Sequence, residues 1–160
     1  MRTRLAAAVL FSAAALTLAA CGSGGGTTIA KSEFLRSANR ICAGANADIG
    51  KLKSPSVDPA ANLTTAQLKE VGDYLDQALK IQNALIGKLR DLGTPKGDDK
   101  KLTKLYDGSD SGSSELQLAA NAAHDGNLAS FRDHLKKGGA QLDASQRGVT
   151  DYGLDKCGQT

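Results

Sequence analysis

The chain has 160 residues, 23% of them charged and 4% aromatic, with a formal charge of +3 at pH 7. That length suits one domain. With no basic block and few rings for base stacking, the composition excludes a nucleic-acid reader.

The chain opens with Arg2 and Arg4, then runs uncharged from Leu5 to Ala20, with Ser12 and Thr17 its polar residues. A basic head, a short apolar stretch and small residues at its end are the build of a secretory signal. The stretch is also too short to cross a hydrocarbon core of roughly 30 Å as a helix. Its end, Leu18-Ala19-Ala20-Cys21, resembles the bacterial lipobox. That resemblance implies cleavage before Cys21 and lipidation (palmitate among the acyl chains) of its thiol. More than one buried chain makes such an anchor stable. The alternative is an ordinary signal cut near Ala20, leaving Cys21 a free thiol. Residues 1–20 are thus read as a lipoprotein signal and residues 21–29 as the lipidated cysteine and its tether. The tether, Gly22-Ser23-Gly24-Gly25-Gly26-Thr27-Thr28, has the composition of a flexible coil reaching about 15 Å. No strand precedes it, so it is no phosphate-binding glycine loop. The expected location is the cell membrane, lipid-anchored on the extracytoplasmic face. Loss of Arg2 and Arg4 leaves 18 basic against 17 acidic residues, so the processed chain is nearly neutral.

Residues 30–160 read as a helical domain. The first helix is predicted from about Ala30 to Lys53, with Phe34, Ala38, Ile41, Ala45, Ile49 and Leu52 on one face at three- and four-residue steps. Ser32 is its candidate cap, and the run from Ser54 to Pro59 breaks it. The second is predicted from Thr65 to Leu92. Thr64 and Gln67 form a capping box, a heptad stripe runs from Leu68 to Leu92, and Gly93 to Gly97 stop it. The third starts near Asp98. Its middle, Asp107 to Ser114, is rich in glycine and serine, each interior glycine costing about 1 kcal/mol against alanine. A kink or a split is expected there. The fourth follows His124-Asp125-Gly126, is capped by Asn127, and carries Leu128, Phe131, Leu135, Leu142, Val149 and Tyr152 on its face. Four amphipathic helices with short connections predict an all-α, up-down-up-down bundle.

With Cys21 assigned to lipid, Cys42 and Cys157 remain. In an exported chain an even pair reads as one disulfide; two free thiols or an intermolecular bond are the alternatives. Cys42 lies about 18 Å into the first helix. A short tail after the fourth helix must therefore fold back along the first to reach it.

Phe34-Leu35-Arg36-Ser37-Ala38-Asn39-Arg40-Ile41-Cys42 and Tyr152-Gly153-Leu154-Asp155-Lys156-Cys157 resemble the two ends of small exported actinobacterial lipoproteins. These have an F-x-x-x-A-N-x-I-C opening and a G-L-x-x-C close. The resemblance implies a lipoprotein, a disulfide and helices, and supplies no active site.

Candidates for chemistry are few. His124 and His134 are ten positions apart, with no completing ligand set, so no metal and no cofactor is expected. The stretch Asp107 to Gly112 lacks the acidic ligands of a calcium loop, with Leu118 where its glutamate belongs. No nucleophile–base pair stands out, so no catalytic residue is assigned. In an antiparallel pairing of the last two helices, Ser113 lies level with Gly139. Their soft middles then face each other, either as a close backbone approach or as a notch for a ligand at Ser109, Ser113, Gly138 and Gly139. The functional expectation is a membrane-anchored binding or interaction domain whose partner is an envelope protein. The alternative is a small-ligand or lipid carrier.

Overall fold

The structure, a computed structural model, describes residues 28–58 and 61–159. Cys21 and the signal segment lie outside these residues. Four helices make the domain: α1 (Lys31–Ile49), α2 (Thr65–Asp91), α3 (Asp99–His124) and α4 (Leu128–Tyr152). Two short strands, β1 (Thr28–Ile29) and β2 (Thr94–Pro95), pair in parallel, Thr28 opposite Thr94. The last two residues assigned to the tether thus belong to the fold, and they set the start of α1 beside the end of α2.

Local chemistry sets most helix ends. Thr64 Oγ1 accepts from the Gln67 amide at 3.3 Å, and Gln67 Oε1 accepts from the Thr64 amide at 2.9 Å, satisfying two free donors of α2. Asn127 Oδ1 accepts from the Ser130 amide at the start of α4. Both α3 and α4 end on a left-handed glycine. Gly126 has φ 71°, with Asn127 N–H donating to Ala122 O; Gly153 has φ 98°, with Leu154 N–H donating to Val149 O.

Three expectations need correction. Ser32 does not cap α1: Ala30 holds that position, and its backbone oxygen accepts from Glu33 and Phe34. α1 stops at Ile49, short of Lys53. Past it the chain tightens into turns in which Lys51 donates to Asp48 O and Leu52 to Ile49 O, and Pro55 lies ahead with no amide to offer. α3 runs unbroken through residues 107–114. Its glycine and serine there serve packing, because Ser109, Gly112 and Ser113 are buried. Tertiary contact outweighs a propensity cost of about 1 kcal/mol per glycine.

The helices differ in length, and this shapes the interior. α1 has 19 residues and α2 has 27, so at 1.5 Å per residue α2 extends about 12 Å further. One core cluster lies where α1 is present. It includes Phe34, Ala38, Cys42, Ile86, Leu89 and Leu102. Phe34 and Tyr152 meet edge to face there, with ring centroids 6.1 Å apart. A second cluster of Leu68, Val71, Ala119, Ala123 and Phe131 lies where α2, α3 and α4 continue alone, covered by Val57 and Leu63 of the α1–α2 connection. Phe34 and Phe131 are both fully buried, one in each cluster; such burial contributes about 1.5–3 kcal/mol per side chain.

Candidate functional site

The two core clusters do not merge. Between them lies a cavity of about 220 Å³, walled by all four helices and by Leu154 and Cys157 of the tail. Its wall is mostly apolar, with Leu75, Leu79, Leu116 and Leu142 among its side chains, and Asn46 and Ile49 mark the point where α1 runs out.

The tail closes the α1 side. Left-handed Gly153 turns the chain, and residues 153–159 run back along α1. Asn39 donates to Gly153 O at 3.1 Å and accepts from the Lys156 amide at 2.8 Å. Asn46 donates to Lys156 O at 2.7 Å, and Gln146 of α4 donates to Gly158 O at 2.7 Å. Helices α1 and α4 therefore grip the tail from both sides. Cys157 is bonded to Cys42, as expected, and the tail folds back as that bond requires.

The cavity wall also carries the polar side chains of Asn46, Gln82, Tyr106, Ser109, Ser113, Ser145 and Gln146. Ser145 donates to Leu105 O at 3.2 Å and lies 3.1 Å from Ser109 Oγ, which tethers α4 to α3. Tyr106 is different. Its hydroxyl is buried and has no hydrogen-bond partner among the described residues. Burial pushes its pKa up, against the weaker pull of the Arg90 guanidinium 5.2 Å from the ring centre. An orphaned buried hydroxyl costs about 1–3 kcal/mol, so its persistence in a cavity wall invites a partner.

The four positions read as a notch do not share one opening. Ser109 and Ser113 are buried and line the core cavity. Gly138 is at the α3–α4 contact, where a Cβ would lie 2.8 Å from Leu116 Cδ2 and 3.1 Å from Gly112 O. Gly139 points away, with nothing within 4 Å of its Cβ position. The soft middles of α3 and α4 thus meet by close backbone approach. The seam between them opens nearer the β1 end, in a surface groove of about 640 Å³ lined by Lys101, Lys104, Gly108 and Gly148. Of the residues expected to form a ligand notch, Ser109 and Ser113 line the core cavity; nothing in the sequence reading marked the surface groove.

The histidines act as cross-links between helices. His124 on α3 pairs with Asp76 on α2 at 2.9 Å, and His134 on α4 pairs with Glu115 on α3 at 2.8 Å. Among the described residues, no cluster of three or more His, Cys, Asp or Glu could hold a metal ion. No described helix is long and apolar enough to cross a membrane.

Fold and site define a disulfide-stapled four-helix bundle with an apolar core cavity. Comparisons with family models, with curated proteins and with solved structures find no match.

Proposed function

We propose that the chain is an exported lipoprotein, anchored through Cys21 on the outer face of the cell membrane, whose bundle binds a small ligand in its core cavity. The observation that carries the binding reading is the cavity of about 220 Å³, lined in part by Tyr106, whose buried hydroxyl has no hydrogen-bond partner among the described residues. A cavity of about 150 Å³ suffices to bind benzene, whereas drug-sized ligands need about 300–1,000 Å³. The ligand is therefore one ring or a short chain, mostly apolar, with one acceptor for the Tyr106 proton. The domain holds this ligand without transforming it.

Cyclohexane and cyclohexanone test this, because they share a shape and differ by one acceptor. Both should shift amide resonances of the cavity wall in NMR titrations. The ketone should bind about threefold to tenfold tighter, the worth of one net hydrogen bond. Tyr106→Phe should erase that preference, and Ala78→Leu should abolish both interactions by filling the cavity. If neither compound perturbs the wall, the binding reading fails. The anchor has its own test. Cys21→Ser protein should leave the membrane fraction for the medium, and retention of the variant would remove the anchor.

A further inference from the structure

We infer that the α3–α4 seam holds a second binding site, for a single-chain anionic amphiphile. The inference rests on the reading of the domain as a binding module but uses a different space. The groove measures about 640 Å³, inside the range of roughly 300–1,000 Å³ that small-molecule sites occupy. From Lys101 to Ser111 it follows α3 for about 15 Å, long enough for a medium acyl chain. Its sides are Leu105 and Gly108 on α3 and Ala144 and Gly148 on α4. Gly148 is part of the shape. A Cβ there would lie 2.8 Å from Leu105 Cδ2, so its absence lets Leu105 lie flat in the wall. At the far end Ser111 donates to Gln141 Oε1 at 3.0 Å across the seam.

Charge chooses the ligand's head. Lys31, Lys101 and Lys104 line the groove against a single acidic lining residue, Asp151. Lys31 is held by Asp98 at 3.1 Å and stands 4.6 Å from the Tyr152 ring centre. Lys101 and Lys104 form no ion pair among the described residues. Lys101, which also feels the Asp98 carboxylate, and Lys104 stand beside an apolar trough and match a carboxylate or phosphate joined to a hydrocarbon chain. Lys31 follows β1 by two positions, so the basic mouth lies at the end of the bundle from which the chain leads back to Cys21. On the proposed anchoring, a tether reaching about 15 Å keeps that mouth near the headgroups, where such amphiphiles are found.

Isothermal titration below the critical micelle concentration decides the point, on both the acylated protein and its Cys21→Ser form. The probes are laurate, dodecyltrimethylammonium and dodecyl maltoside, which share a chain and differ in head. Laurate should bind both forms at least tenfold tighter than the other two. K101E/K104E should lower laurate affinity at least tenfold, and Ala144→Trp, at an exposed position, should block the trough. Ala78→Leu should leave laurate unaffected while it abolishes cyclohexanone binding. Equal binding of the three amphiphiles, or indifference to K101E/K104E, overturns the site. Laurate binding by the Cys21→Ser form alone also overturns it, since the groove would then house the protein's own lipid. Loss of laurate in Ala78→Leu but not in Ala144→Trp moves the ligand into the core, which sinks this site and leaves the core reading standing. Laurate bound in the groove without any cyclohexanone binding does the reverse.

Discussion

Cys157 is bonded to Cys42 across 115 positions of sequence, their Cα atoms 4.9 Å apart. The bond fixes the tail as a wedge between α1 and α4, and Cys157 itself forms part of the cavity wall. Closing so long a loop restricts the unfolded chain by about 4–5 kcal/mol in the chain-entropy account. The C42A/C157A double variant should lose about that much in guanidinium unfolding at neutral pH. It should also lose hydrogen-exchange protection first at Leu154 and Lys156, because only the side-chain hydrogen bonds of Asn39, Asn46 and Gln146 described above then hold the tail. An unchanged unfolding midpoint would show that the staple contributes nothing.

Periodicity and caps were legible because each is a local rule. The Thr64–Gln67 box and the Asn127 cap depend on residues three positions apart, and both form as read. The disulfide was legible by parity once the chain was read as exported and Cys21 as lipidated. Ser32 misled because a good capping side chain matters only where the backbone enters the helix, and here the chain enters at Ala30, positioned by the pairing of β1 with β2. The middle of α3 misled for the opposite reason. Its serines and glycines are poor helix formers in isolation, and they are used because α4 approaches so closely. The core cavity was legible only through Ser109 and Ser113, which line it; its place and extent were not. It arises from the difference in length between α1 and α2, which no single segment encodes.

Neighbouring glycines in α4 should respond to alanine with opposite signs. At Gly138 a methyl group would lie 3.1 Å from the Gly112 carbonyl oxygen, a backbone atom that cannot rotate away, and 2.8 Å from Leu116. Overpacking of this kind costs about 1–3 kcal/mol, more than the helix-propensity gain of about 1 kcal/mol. Gly138→Ala should therefore destabilise by about 1–2 kcal/mol. Nothing lies within 4 Å of the Cβ position at Gly139, so Gly139→Ala should stabilise by about 0.5–1 kcal/mol. Urea unfolding of the two variants measures both. Equal effects would mean that α3 and α4 are further apart than described.

A last prediction concerns pH and the base of the bundle, where the Tyr152 hydroxyl donates to Asp98 Oδ2 at 2.8 Å. That bond, with the Lys31 ammonium beside it, lowers the pKa of Asp98 below the ordinary carboxylate value. A carboxylate lowered in the folded state lends stability above the unfolded pKa, near 4. The contribution is lost as pH falls through the folded value. Tyr152 has the opposite sign. Burial first, then its bond to Asp98, raises its pKa above 10.0. Its contribution is complete below that pH and is lost as pH rises toward the folded value. Stability should therefore fall at both extremes. Tyr152→Phe removes the donor, so it should shrink the acid-side loss that Asp98 contributes. On the alkaline side it should flatten the loss without abolishing it, because Tyr106 is also raised by burial. Urea unfolding at pH 3, 7 and 11, compared between wild type and variant, reads both slopes. Parallel pH profiles for the two proteins would show that the Asp98–Tyr152 bond does not couple ionisation to folding.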